Sequence, residues 1–421
     1  MIKKIIVSIS LFLSVVAFAQ ESTSSPYSFY GLGDVRFKGT IENRAMGGLS
    51  VLGDSIHINL QNPALQSNLK LTTFAIGGTY SPTTLKTDSD KEKSRRTGLD
   101  YLAVAIPLNK MAFSLGLIPY SSVGYKIRTT EVDPDTDEIT ELNDYSGEGG
   151  INKVFLGYSY QLTSKFSIGA DFQYNFGRIE TKSLTYRDEV QFGTRELNTS
   201  EVSGVNFNTG IGYNSKLNKK LTIFSGITFS PKSTVKLNNE RTIATVQFSS
   251  VGGEAVIDEA ENIDVDDSTL TFPSKLAFST AIGEVKKWSI GGEVTLQSTS
   301  DLGSRFNDID NVKYENSVKY SIGGYYIPKY NSFTNYFSKV VYRGGFRYEN
   351  TGLVLNNEAI KDYALTLGLG LPLGGTFSNI NIGLEFGKRG TTNAGLVQEN
   401  YTNLSIGLSF NDKWFKKAKY D

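Results

Sequence analysis

The chain has 421 residues, with 43 Lys plus Arg against 43 Asp plus Glu, so no charge excess points to nucleic acid. It has no cysteine and one histidine. That excludes disulfides, a catalytic thiol, cysteine metal ligands and a lipid-modified cysteine anchor, and with a single histidine no zinc or haem site is expected.

Residues 1–19 read as a signal peptide cleaved near Ala19. "MIKK" is a basic start, residues 5–19 are apolar, and Ala17 and Ala19 supply the small-x-small pattern. An anchor helix is the alternative, but the apolar run is short for a span and ends at "QESTSSP". The expected protein is therefore exported, and no later stretch is apolar enough for a membrane helix. Residues 20–70 lack a regular period. Gly47, Gly48 and Gly53 interrupt them, and "LQNPALQ" predicts a short helical turn at Pro63.

From residue 71 to 412 apolar and polar residues alternate. The pattern predicts strands at 71–81, 99–107, 111–130, 150–162, 166–182, 203–217, 221–235, 268–284, 288–299, 314–328, 339–352, 360–373, 377–388 and 398–411. Short, mostly basic turns ("LNK", "TSK", "NKK", "VKK") alternate with long polar loops at 82–98, 131–149, 183–202, 236–267, 300–313, 353–359 and 389–397. Such two-ended asymmetry predicts a porin-like fold: an all-β transmembrane antiparallel barrel of about 14 strands in the bacterial outer membrane, with residues 413–421 as a periplasmic tail. Phe166, Ile168, Phe172 and Tyr174 then face lipid, while Ser167, Gly169, Asp171 and Asn175 face inward. Phe113, Phe166 and Trp288 open their strands as an interfacial girdle. Asp171, Lys275, Glu293, Arg343, Arg347 and Glu385 also fall on the inner face. Charges there need a wet lumen or a plug that pairs with them.

The run "AMGGLSVLGDS…NLQNPAL" ahead of the strands resembles the N-terminal hatch of the FadL-type outer-membrane transporters of hydrophobic molecules. Asn62, Pro63 and Ala64 match its Asn-Pro-Ala box; Ala45, Gly47 and Gly48 match the small-residue run, and Asp54 an acidic position between them. "SPYSFYGLGD" and "DKWFKKAKYD" are similar to barrels of Bacteroidetes. The resemblance implies that residues 20–70 close the barrel and that a kink in the third strand opens its wall to the membrane. A long-chain fatty-acid-like ligand would leave through that opening. Pro119, between Gly116 and Gly124, fits such a kink, because proline breaks a ladder at a bulge or edge. An ordinary bulge with no passage is the alternative, and Pro231 is a rival position.

No cofactor is expected, and a lone His57 without a placed nucleophile argues against an enzyme. Asp133, Asp135 and Asp137 alternate as calcium ligands sometimes do, but the glycine and glutamate of a calcium loop are missing. The expected partners are outer-membrane lipid and a hydrophobic small molecule. A second reading keeps the same barrel as a docking subunit of a larger outer-membrane complex, with the long loops as partner surfaces.

Overall fold

The computed structural model describes residues 23–133, 135–136, 138–188, 190–248, 254–258, 260–302, 311–374 and 377–414. The expected signal peptide, Asp137 and most of the expected tail lie outside the described residues. Fourteen antiparallel strands form the wall: β1 Thr72–Lys86, β2 Lys91–Leu108, β3 Met111–Val132, β4 Ile139–Gln161, β5 Phe166–Arg187, β6 Gly193–Lys216, β7 Leu221–Ser230 continued by Ser233–Phe248, β8 Ser268–Phe272 continued by Lys275–Glu284, β9 Trp288–Gln297, β10 Val312–Tyr314 continued by Ser317–Tyr326, β11 Val341–Leu355, β12 Glu358–Pro372, β13 Asn379–Arg389 and β14 Gln398–Asp412. β14 returns to β1, from Thr72↔Asp412 to Lys86↔Gln398, so the sheet closes. Closure satisfies the backbone where no water can.

The alternation runs inside out relative to a water-soluble barrel. On β5, Phe166, Ile168, Phe172 and Tyr174 are exposed, whereas Ser167, Asp171 and Asn175 are buried. On β14, Leu404, Ile406 and Phe410 point out while Ser405 and Ser409 are buried. An apolar exterior around a polar interior suits hydrocarbon outside and polar contacts within.

All fourteen predicted strands are present, but several are longer than expected. β3, β4, β5 and β6 have 22, 23, 22 and 24 residues, against 10 for β9 and 11 for β13. About 9–11 residues cross a bilayer. Much of the expected loops at 82–98, 131–149, 183–202 and 236–267 is therefore strand that rises beyond the membrane on one side of the barrel. Both faces there meet water, so the apolar alternation that marks a membrane strand is lost. Directly opposed charges replace it, such as Arg128 with Asp144 at 2.6 Å and Glu141 with Arg187 at 2.8 Å.

Ahead of β1 lie 3-10 turns at Pro26–Phe29 and Pro63–Asn68, a two-residue strand Asp34–Val35 and a short helix Ile41–Arg44. The helix ends in Gly47 and Gly48, at φ +73° and +86°, a left-handed turn that favours glycine. This segment supplies much of the apolar interior. Ile41, Ile58, Leu60 and Leu69 pack with the inward residues Ala75, Tyr101, Ala103, Ile118 and Phe155 of the wall. Leu32 joins Val123, Ile151, Val235 and Phe272, and Tyr27 joins Leu353 and Ile360.

Candidate functional site

Wall glycines let the segment before β1 sit against the inner backbone. A Cβ on Gly169 would lie 2.5 Å from Ala64 N, one on Gly210 2.2 Å from Asn62 Oδ1, and one on Gly212 2.7 Å from Leu65 Cδ2. The Asn62–Pro63–Ala64 box is thus built around close approach. The Asn62 side chain caps the Pro63–Asn68 turn by accepting from Ala64 N at 3.1 Å, and its amide donates to the Ile211 carbonyl at 3.2 Å. Proline at the first position of the turn costs no hydrogen bond. Higher up, a Cβ on Gly345 of β11 would lie 2.4 Å from the Met46–Gly47 peptide, and Gly47 N donates to Thr366 Oγ1 at 3.0 Å.

Charge joins segment and wall next. Arg44 reaches Asp100 at 3.0 Å and Glu385 at 3.5 Å. Arg347 holds Glu385 at 2.9 Å and Asp362 at 3.2 Å, and Lys38 also meets Asp362, at 2.9 Å. Arg389 pairs with Asp34 at 2.8 Å. Glu293 accepts from the Ser50 amide at 2.8 Å and hydroxyl at 2.6 Å. Arg343 donates to Asn381, whose amide donates to Glu42. Of the six inward charges expected from the sequence, Glu293 and Glu385 touch the segment directly, Arg347 is tied to it through Glu385 and Asp362, and Arg343 through Asn381. Asp171 instead accepts from Asn208 of the wall at 3.4 Å. Lys275 is exposed toward the lumen, with no ion pair among the described residues.

Pattern reading missed Arg44, Lys38 and Asp100. The first two lie in an irregular segment with no period to orient them. Asp100 has the wrong parity for the inner face: the β1–β2 register slips between Gly77 and Gly78, and both Asp100 and Tyr101 are buried.

His57 is held by the same segment. Its Nδ1 lies 2.5 Å from Asp54 Oδ2 and its Nε2 3.8 Å from Glu42. Burial alone would lower its pKa; Asp54, by charge and hydrogen bond, and then Glu42 raise it above the ordinary value. Burial works against ionised Asp54 too, but His57 and the Ile56 and His57 amides hold its pKa low. Asp133 accepts from the Asp135 and Thr136 amides, a turn that needs no ion.

The third strand carries the main break. β2 and β3 pair only from Leu102↔Leu117 to Leu108↔Met111. Beyond Leu117, β3 keeps β4 as a partner but leaves β2, and its register with β4 shifts between Pro119 and Ser121. The parting begins at membrane depth. Leu102 also pairs with Ile76, and Tyr80, farther out on β1, is still exposed on the lipid face. The N-terminal segment takes the free edge. Asp34 and Val35 pair with Ser122 and Ser121, Arg36 N donates to the Tyr120 carbonyl at 2.9 Å, and Gly124 N donates to Ser28 Oγ at 3.1 Å. Gly116 lies where β2 still pairs, and a Cβ there would meet the Leu102 carbonyl at 2.4 Å. A Cβ on Gly124 would meet the Thr23 carbonyl instead.

Inside this edge is a cavity of about 180 Å³, lined by Ile118, Tyr120, Lys153, Phe272, Lys275 and Glu293 among others. Lys153 Nζ donates to Gln173 at 3.2 Å and stands 3.7 Å above the Tyr120 ring. The site is amphipathic: the lysine side chains of Lys153 and Lys275, with Lys38, Lys319, Glu293 and Glu349, stand beside aromatic and aliphatic faces.

A fourteen-stranded barrel with a segment seated on its inner wall is a fold that solved outer-membrane transporters share. The toluene transporter TodX of Pseudomonas putida matches with a TM-score of 0.61 at 18% identity, over 92% of this chain and 100% of that one. A Pseudomonas aeruginosa FadL homologue matches at 0.57 and 12% identity, over 92% and 100%. The CymD monoaromatic hydrocarbon channel matches at 0.55 and 14% identity, over 91% and 99%. The chain belongs to the BamG family, whose model matches residues 1–421. No curated protein sequence matches it.

Proposed function

We propose that this chain passes hydrophobic small molecules, of the long-chain fatty-acid type, from the cell surface into the outer membrane through the wall between β2 and β3, with residues 20–70 as the hatch. The observation that carries this reading is the early end of β2–β3 pairing at Leu102↔Leu117, inside the apolar band. Unpaired backbone is costly at membrane depth and persists where it meets protein or a cavity. Here it meets both: Asp34–Arg36 on the β3 edge, and the cavity behind. Lys153 and Lys275 suit an acidic head group, and Tyr120, Phe272 and Ile118 suit the first carbons of its chain. At about 180 Å³ the cavity seats a head group and the first carbons of a chain. A long chain therefore needs Asp34–Arg36 to leave the edge, which makes the hatch the gate.

The test is a lock. Val35 and Ser121 are directly opposed, within disulfide reach of each other in an antiparallel pair, and the chain has no native cysteine. Cells carrying Val35→Cys with Ser121→Cys should lose uptake of a labelled fatty acid under oxidation and regain it with reductant. Equal uptake in both states would rule out gating at this edge. The neighbours bear on this reading through the substrates in their names, toluene and monoaromatic hydrocarbons.

A second reading, a docking subunit of a larger outer-membrane complex, is favoured by the one-sided rise of β3–β7 beyond the membrane, which transport does not need. Stoichiometric proteins retained in mild detergent would support it. Lipid alone would favour transport.

A further inference from the structure

Several cations on the outer parts of the long strands are matched within the chain. Arg128 meets Asp144 at 2.6 Å, Arg178 meets Glu180 at 3.1 Å, Arg187 meets Glu141 at 2.8 Å, and Lys182 pairs with Glu254. β2 differs. Its residues Thr97, Arg95, Lys93 and Lys91 lie opposite Tyr80, Pro82, Thr84 and Lys86 of β1. Directly opposed residues share a face, and Tyr80 is exposed on the lipid face. The register therefore puts Arg95, Lys93 and Lys91 on the outward face at successive steps of about 6.6 Å beyond Tyr80, with Lys86 directly opposite Lys91. Among the described residues none of these four has an ion pair. Glu92, opposite Leu85, and Arg96, opposite Ser81, belong to the inner face. Asp88 and Asp90 sit in the turn beyond, and neither is in ion-pair contact with the stripe. Lys126, exposed on β3 across the parted edge, is also unpaired among the described residues.

Tyr80 is the last outward aromatic of β1, so the stripe begins where the apolar band ends. That is the level of the head groups of the outer leaflet. A run of like charge with no ion-paired partner among the described residues is self-repelling unless an anion joins it. At this level the abundant anions are the phosphates of the surface glycolipid. We propose that Lys91, Lys93 and Arg95, with Lys86 and Lys126 beside them, bind the lipid A phosphates of lipopolysaccharide. Its acyl chains lie along the outward face of β2. A lipid held there covers from outside the same parted edge that Asp34–Arg36 covers from inside. The proposal rests on the chain being an outer-membrane barrel and not on the transport route, so uptake results leave it untouched.

The experiment uses the full chain, purified in mild detergent and shown folded by its heat-dependent gel mobility. Binding is read by native mass spectrometry with lipid A and with its phosphatase-treated form. The wild type should hold lipid A about tenfold better than the dephosphorylated lipid, the combined effect of three exposed ion pairs of ordinary strength. Lys91→Gln/Lys93→Gln/Arg95→Gln should lose that preference, while Lys219→Gln/Lys220→Gln, in a turn at the other end of the barrel, should keep it. If the triple variant does not fold, Lys93→Glu alone should weaken binding and Lys93→Arg preserve it. Equal binding of the two lipids, undiminished binding by the stripe variants, or equal loss in the Lys219/Lys220 variant would overturn the proposal. Competition by millimolar inorganic phosphate would assign the stripe to free anions and overturn it too.

Discussion

Arg44 ties the N-terminal segment to two wall carboxylates, and Arg44→Ala tests how the segment is held. The change leaves Asp100 and Glu385 in place, each buried and each having lost its Arg44 contact, at 3.0 and 3.5 Å. Removing one partner of a buried ion pair costs roughly 3–5 kcal/mol. The lower end applies, because Glu385 keeps Arg347 at 2.9 Å and Asp100 keeps the Thr79 hydroxyl. About 3 kcal/mol corresponds to a shift of about a hundredfold in the opening equilibrium of the segment. Lys38–Asp362 and Ser50–Glu293 still hold its flanks, so the barrel should stay folded. Hydrogen exchange reads the effect directly. The Ala45 and Gly48 amides, bonded to Ile41 and Asn43 at 2.9 Å, should exchange about a hundredfold faster, with β12–β14 unchanged. Unchanged exchange at Ala45 and Gly48 would refute the view that this ion pair holds the segment. Parallel loss of protection in the strands would show that Arg44 supports the barrel instead.

The loop around His57 should be pH-sensitive. Because the His57 pKa is raised, its contribution is complete below the unfolded value of about 6.5 and is lost as pH rises through the folded value; because the Asp54 pKa is lowered, its contribution is complete above about 3.9 and is lost as pH falls through its folded value. Exchange protection of the Ile56 and His57 amides, corrected for intrinsic rate, should therefore decline toward alkaline pH, and His57→Gln should abolish that decline. Gly345→Ala drives a methyl into the Met46–Gly47 peptide and should destabilise the docked segment by about 1–3 kcal/mol, visible as faster exchange at Gly48 with barrel mobility on gels unchanged. Pro119→Val restores a backbone donor at the β3 bulge and should cut fatty-acid uptake severalfold in correctly folded barrels. Unaltered uptake with a straightened β3 would favour docking over passage.

The membrane-spanning part of each strand was legible because lipid imposes a strict two-residue period, as in Phe166–Ser167–Ile168. Where strands leave the membrane that constraint lapses, and Glu141, Asp144 and Arg187 read as loop although they are paired strand. The site was legible only in part. The alternation puts Gly169 on the inner face, where the segment sits against it, and Pro119 marks the strand whose neighbour departs. Asp100 was hidden by one slipped register position. Arg44 and Lys38 could not be oriented without knowing which wall residues would face them, since contacts between an irregular segment and a sheet have no sequence period.

The polar interior also bears on direction. Along the barrel axis, a molecule from outside meets the ion pairs of Arg44, Arg347, Asp362 and Glu385, and below them the Asn62–Leu65 turn pressed against Gly169, Gly210 and Gly212. An apolar cargo would have to separate several charge pairs and then displace a closely fitted turn. Breaking even one buried pair costs a few kcal/mol. The edge of β3 asks less: Asp34–Val35 form a two-residue strand, joined there by Arg36 N and held from behind by Arg389. Releasing a few hydrogen bonds at roughly 1 kcal/mol each and the single Arg389–Asp34 pair is a smaller barrier than separating several pairs and a fitted turn. Under the proposed route, the charged layer is therefore what makes sideways exit the easier path. Neutralising it, as in Glu385→Gln with Asp362→Asn, should raise leakage along the axis before it alters lateral uptake. Small polar dyes entering the periplasm would report such leakage. If lateral uptake falls first, with no dye entry, the layer serves to seat the segment at the β3 edge and not to bar the axis.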